Sequence, residues 1–243
     1  MIPKIIHYCW FGKNKKPKMA IKSIKTWQKF KDYSILEWNE DNCDININQY
    51  VATAYKEKSW AHVSDYYRLK ILYDNGGIYF DTDVKMFKDF EIFLNNKMFL
   101  GFMFDCNLGT AVIGAEKNNQ TIKKLLDLYE NMEFSKSPNN DLYTNWFIDN
   151  KDLKLNNKKQ ILDDVVVYPK EYFECPTNDK SMGYSAHYFM GSWQPYKPSL
   201  FSIFKNRINY LILGEVEYHK RSRQRCLEIS GFYEKYKNDI KLI

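Results

Sequence analysis

The stretch "WAHVSDYYRLKILYDNGGIYFDTDV", residues 60–84, holds a helix, its stop, a strand and an acidic triplet in one continuous run. Apolar residues at 60, 63, 67 and 71, with further ones at 66, 69 and 72, predict a helix over 60–74 that is buried around most of its circumference. Gly76 and Gly77 stop it, and "GIYF" reads as a strand that begins at once. Asp81 and Asp83 stand at the end of that strand. If the strand continued, its alternation would put both carboxylates on one face, where they would repel each other. Water, a neighbouring Lys or Arg, or a divalent cation that takes oxygen ligands could relieve that repulsion. On the helix, Asp65 and Arg68 are spaced i, i+3 and project from one face. A charge pair on so apolar a helix is expected to be buried, and buried charges require partners.

Outward from this run, "PKIIHYCW" predicts a first buried strand ending near residue 11. A helix over 17–30 follows, with Ile21, Ile24 and Trp27 on one row, and then "YSILEW" (33–38) as a second strand. Strand, helix, strand in that order opens an α/β fold with a parallel sheet. In such sheets ligands gather outside the carboxyl ends of the strands, where Asp81 and Asp83 stand. Further on, "MFLGF" (98–102), "TAVIGA" (110–115) and "DVVVYP" (164–169) read as strands, with helices over 118–129 and around "DLYTNWFIDN". Beyond Pro198 the pattern changes to "LFSIFKNRINYLIL" and then the basic run "HKRSRQR" (219–225). The expected division is a main body over 1–199 and a helical, basic, amphipathic appendage over 200–243 packed on it.

The 243 residues are enough for a sizeable core, and 44% hydrophobic with 27% charged residues reads as a folded soluble protein. Aromatics at 17% exceed what a core needs, so some are expected to line a surface that stacks on rings or sugars. Five cysteines without a CxxC pair argue against a disulfide framework and a zinc ribbon, and fit a reducing cytoplasm. The start, "MIPKIIHYCWFGKNKKPK", lacks the layout of a signal peptide, and no apolar run reaches membrane-spanning length. The net charge of +6 is concentrated in lysines from Lys13 to Lys25 and in the late basic run. Such patches favour phosphates, nucleic acid or anionic lipid.

The string "SDYYRLKILYDNGGIYFDTDV", with "IPKIIHYCWFG" at the start and "WNE" at 38–40, closely resembles the DxD-containing glycosyltransferases of family 32. These include bacterial capsular polysaccharide enzymes, with the glucosylating domains of large clostridial toxins as more distant relatives. The resemblance is dense over residues 1–115 and returns at "AHYFMGSW". It implies a GT-A type nucleotide-sugar transferase fold, a mixed, mostly parallel sheet flanked by helices, and retention of anomeric configuration. It further implies Mn²⁺ or Mg²⁺, bound directly by Asp83, with Asp81 reaching it through water or holding the ribose and donor sugar. Trp10 would lie against the nucleotide base. Asp65 and Arg68 would hold the donor sugar and the diphosphate side. Tyr79 and Asn107, the latter on a loop before "TAVIGA", are further donor-site positions. His187 would be a late metal ligand, with Ser192 and Trp193 in a lid over the diphosphate.

The expected reaction is transfer of a hexose or N-acetylhexosamine, from a UDP-sugar in preference to GDP-mannose, to a glycan or a polyprenyl-diphosphate-linked acceptor in capsular or surface polysaccharide synthesis. Residues 200–225 are a candidate contact with anionic membrane at its cytoplasmic face. A nucleic-acid-binding protein with a metal-dependent nuclease site is the competing class. Against it, no nucleic-acid motif is present and the basic runs are remote from the carboxylates in sequence, so no nucleic-acid partner is expected.

Overall fold

The structure, a computed structural model, describes residues 1–179, 181–188 and 200–229, without the side chains of 200–207, 222, 223 and 225–229. The chain runs β1 (Ile5–Cys9), α1 (Lys18–Trp27), β2 (Ser34–Trp38), α2 (Gln49–Lys56), α3 (Trp60–Asn75), β3 (Gly77–Phe80) and β4 (Val84–Met86). It continues through β5 (Met98–Phe104), β6 (Asn107–Ala115), α4 (Gln120–Glu130), α5 (Asn139–Lys151), β7 (Gln160–Leu162), β8 (Val165–Tyr168), α6 (Lys170–Phe173), β9 (Ser185–His187) and α7 (Leu200–Ile229).

Seven strands form one sheet in the order β2-β1-β3-β6-β5-β8-β7, and β4 pairs with β9 in a small ribbon. β1 is parallel to β2 and β3, and β5 is parallel to β8, whereas β6 runs antiparallel to both β3 and β5, and β7 antiparallel to β8. The sheet is therefore mixed, with β6 and β7 opposing the common strand direction. The reversal at β6 has a consequence for function, because its first residues extend past the carboxyl end of β3.

The glycines after α3 set the geometry of the centre. Gly76 and Gly77 hold φ of 67° and 110°, values that favour a residue without Cβ. A Cβ on Gly77 would stand 2.8 Å from both His7 Nε2 and Ile5 O. The pair thus lets the chain leave the helix and run directly beside β1. His7 closes the joint: Trp38 Nε1 donates to its Nδ1 at 3.1 Å, and its Nε2 donates to Gly76 O at 2.8 Å.

Side chains alternate across the sheet into two cores. Cys9, Tyr79 and Ile113 face α2, α3, α4 and α5, while Ile6, Tyr8, Ile78 and Phe80 face Trp27 of α1 and a block made of Phe90, Phe93, Phe99 and Phe173. Much of the aromatic surplus is spent here: Trp27, Tyr66, Tyr79, Tyr129, Tyr143 and seven phenylalanines are fully buried. α1 departs from expectation, since it buries Ala20, Ser23 and Trp27 and leaves Ile21 39% exposed. Trp27 anchors that rotation by donating its indole N–H to Val84 O at 2.9 Å. α7 breaks at Gly214, whose φ of 74° and ψ of 168° are not helical. Among the described residues no helix is long and apolar enough to cross a membrane.

Candidate functional site

β3 ends at Phe80, and the chain turns instead of continuing: Val84 N–H donates to Asp81 O at 3.0 Å. Asp81 and Asp83 therefore do not occupy successive positions on one strand face. The turn brings them together with His187 of β9, and one ligand atom from each of the three lies within 4.8 Å of the others. Two pairings align the late residue: Val84 stands opposite His187 in the β4–β9 ribbon, and Tyr188 N–H donates to Asp83 O at 3.1 Å. His187 Nε2 is 3.3 Å from Asp83 Oδ1, and its Nδ1 is 2.9 Å from Glu174 Oε2.

Behind the triplet, α3 supplies a buried polar network. Arg68 Nη2 is 2.8 Å from Asp65 Oδ1 and 3.3 Å from Asp81 Oδ1, while Nη1 donates to Thr110 O at 2.6 Å. Asn139, the first residue of α5, donates to Asp65 at 2.8 Å and accepts from the Thr110 hydroxyl at 3.0 Å. Arg68 is 4% exposed and lies 4.8 Å above the Tyr79 ring, so its fork is committed to protein groups. Tyr79, at 1% exposure, sits beneath Arg68 and supports it instead of facing solvent.

The electrostatics follow from burial. Burial pushes the Asp65 carboxyl up to about 7, with Arg68 opposing and Asp81 reinforcing. Asp81 is raised by burial and lowered in part by Arg68 and His187. For His187 burial disfavours the imidazolium, but the Asp83 and Glu174 carboxylates outweigh it and hold the group well above the usual histidine range.

Trp10 follows the end of β1, with its indole N–H donating to Asn14 O at 2.7 Å and Lys16 Nζ 5.7 Å from its ring. With Glu37, Asn39 and Glu40 it lines an open cleft of about 280 Å³. Asn107 is the first residue of β6, a correction to the loop expected there, because the β5–β6 pairing extends to Phe104↔Asn107. It is 2% exposed, and its Oδ1 has no hydrogen-bond partner among the described residues. Ser192 and Trp193 lie outside the described residues. Glu174, Asn139 and Thr110 belong to the constellation but not to the sequence reading. Nothing in their local pattern marks them, since each acts through a partner distant in the chain.

Residues 17–100 match the family described as "Glycosyltransferase sugar-binding region containing DXD motif". No curated protein sequence matches the chain. Among solved structures, the chain is similar to the PaToxG glycosyltransferase at 22% identity and a TM-score of 0.47, covering 61% of this chain and 69% of that one. It is also similar to a glycosyltransferase involved in the glycosylation of the major capsid of PBCV-1, at 12% identity and a TM-score of 0.40, over 71% of this chain and 85% of that one. A third is the apo-form glycosyltransferase GlyE of Streptococcus pneumoniae TIGR4, at 12% and 0.39, over 70% of this chain and 46% of that one. Likenesses this distant carry no argument about substrate. The matched region runs from α1 into β5 and contains the acidic turn with Asp81 and Asp83.

Proposed function

We propose that the chain is a metal-dependent, retaining glycosyltransferase that moves a hexose or N-acetylhexosamine from a UDP-sugar to a glycan or polyprenyl-diphosphate-linked acceptor in surface polysaccharide assembly. The observation that carries this reading is the convergence of Asp81, Asp83 and His187. Two hard oxygen donors and one imidazole nitrogen suit Mn²⁺, with Mg²⁺ as the alternative. Asp83 and His187 would hold the ion directly, and Asp81 directly or through water. When bound, the ion would supply Lewis-acid stabilisation of the departing diphosphate. The unpartnered Oδ1 of Asn107, buried at the same end of the sheet, favours a ligand that brings a donor group there.

The protein's own contribution is positioning. Trp10 offers a ring face for the base, with Lys16 nearby to favour phosphate. Asp65 receives the donor-sugar hydroxyls, and Arg68 holds Asp65 and Asp81 in place. Retention proceeds on the front face, the leaving phosphate assisting deprotonation of the acceptor; a trapped covalent glycosyl-enzyme would overturn that step.

Donor hydrolysis with and without Mn²⁺, in the natural protein and in Asp83→Ala, tests the function. Metal-independent turnover that survives the substitution would sink it. A thermal-shift screen of UDP- and GDP-sugars with Mn²⁺ tests the donor, since ligand binding raises apparent stability; stabilisation by GDP-mannose alone would replace the UDP assignment.

The segment 200–225 is the proposed contact with an anionic membrane at its cytoplasmic face. Support comes from Leu211 and Ile212, which are 74% and 75% exposed and precede the basic run in the chain. α7 remains part of the catalytic body, because His219 Nε2 lies 2.5 Å from His187 O and Glu215 accepts from the Tyr188 hydroxyl. Flotation with anionic vesicles should fall when Leu211 and Ile212 are both replaced by Glu; unchanged flotation would remove the membrane contact.

A further inference from the structure

Glu174 is an acidic residue at 1% exposure on the turn after α6, and among the described residues it has no Lys or Arg within ion-pair distance. Burying a carboxylate that way is costly without a task or a partner. Its partner is His187, held twice: Glu174 Oε2 is 2.9 Å from the imidazole Nδ1, and the backbone Glu174 O accepts from His187 N–H at 3.2 Å. Room for the carboxylate comes from Gly109 of β6, where a Cβ would stand 2.4 Å from Glu174 Oε1. A side chain at 109 would have to displace the Glu174 carboxylate. The geometry therefore combines a glycine cradle, a buried carboxylate and a doubly tethered imidazole.

A carboxylate at Nδ1 keeps that nitrogen the donor, so that a cation taking the place of the Nε2 proton would meet the Nε2 lone pair beside Asp83, 3.3 Å away. Imidazoles that bind metals are oriented in this way by an outer carboxylate, which also raises their basicity as ligands. We propose that Glu174 is the positioning residue that makes His187 an Nε2 ligand, and that through it the site selects a transition-metal dication such as Mn²⁺ over Mg²⁺. The selectivity follows from chemistry, because the nitrogen donor contributes to binding of the softer ion, whereas Mg²⁺ relies on carboxylate and water oxygens. This inference rests on the metal site described above.

The test is equilibrium binding of Mn²⁺ and Mg²⁺ to the full chain, with pulsed electron paramagnetic resonance reporting nitrogen coordination of Mn²⁺. Glu174→Gln keeps shape and an acceptor and serves as the variant most able to fold; Glu174→Ala removes both. Expected are a loss of Mn²⁺ affinity of roughly 10- to 100-fold in Glu174→Ala, a smaller loss in Glu174→Gln, and a smaller change for Mg²⁺ in both. The nitrogen signal seen in the natural protein should vanish in His187→Gln and weaken in Glu174→Ala. Folded Glu174 variants with unchanged Mn²⁺ affinity and nitrogen signal, beside an Asp83→Ala that no longer binds, would overturn the inference and leave the metal site standing. Unchanged binding in Asp83→Ala would overturn both.

Discussion

The guanidinium of Arg68 stands 3.3 Å from the Asp81 carboxylate, and with Asp65 at 2.8 Å it forms a buried bridge between α3 and the acidic turn. One cation serves two carboxylates, so its removal takes the guanidinium partner from both. Arg68→Ala should destabilise the protein by about 3–5 kcal/mol, the cost of breaking a buried ion pair from one side. Arg68→Lys keeps a charge but not the fork that also reaches Thr110 O, and should fall between. Thermal denaturation at neutral pH measures this; an Ala variant as stable as the natural protein would mean the bridge is not formed.

Asn139 joins the same network from α5. Asn139→Ala strips a hydrogen bond from Asp65 and the acceptor from the Thr110 hydroxyl, and should cost about 1–3 kcal/mol. Asn139→Asp places a second carboxylate against Asp65 and should be worse, in both melting temperature and donor hydrolysis. An Asp variant that matches the natural protein in both would refute this.

Gly114 faces Phe99 across the β5–β6 pair, and a Cβ there would stand 2.0 Å from the Phe99 ring. Gly114→Ala should therefore destabilise by about 1–3 kcal/mol or more through overpacking. Combining it with Phe99→Leu should cost less than the two single changes added together. Strict additivity in denaturant melts would show that the contact is not the cause.

His7 gives stability a pH dependence. Burial lowers its pKa from 6.5 to about 4, despite the hydrogen bond to Gly76 O that favours the charged form. Between these values the unfolded chain binds a proton that the folded chain does not, so the contribution is full above about pH 6.5 and is lost as pH falls towards 4. The loss should approach about 3 kcal/mol. Urea melts from pH 7 to pH 4 should show it, and His7→Gln should flatten the slope in that window; identical slopes would exclude His7 as the source.

Trp10 is partly exposed at the cleft, so its replacement should act on ligand and leave the fold intact. Trp10→Ala should weaken nucleotide binding roughly tenfold, the loss of one stacking contact of about 1–1.5 kcal/mol, with Mn²⁺ affinity in the absence of nucleotide unchanged. Calorimetry with UDP checks both halves.

The elements legible in the sequence were those whose burial leaves a local pattern. α3, its glycine stop and β3 appear within a residue of expectation, because apolar periodicity and paired glycines record their surroundings directly. α2 left too short a pattern, burying Tyr50, Val51 and Ala54 in a helix of 8 residues. β4 and β9 are 3 residues each and exist only as each other's partner. On α1 the row of isoleucines pointed to one face, but packing of Trp27 against β4 chose another.

The sequence by itself determined the α/β class, the buried Asp65 and Arg68 pair, and the acidic triplet at a strand's carboxyl end. Those depend on neighbours within one element, where side-chain spacing is fixed by helix or strand geometry. Only the tertiary structure decided that the strand turns after Phe80, that β6 runs antiparallel and carries Asn107 to the same end, and that His187 reaches Asp83 while Glu174 holds it. Those are meetings of residues far apart in the chain, set by strand order and by which side chains fill the space between elements, and no local spacing encodes them.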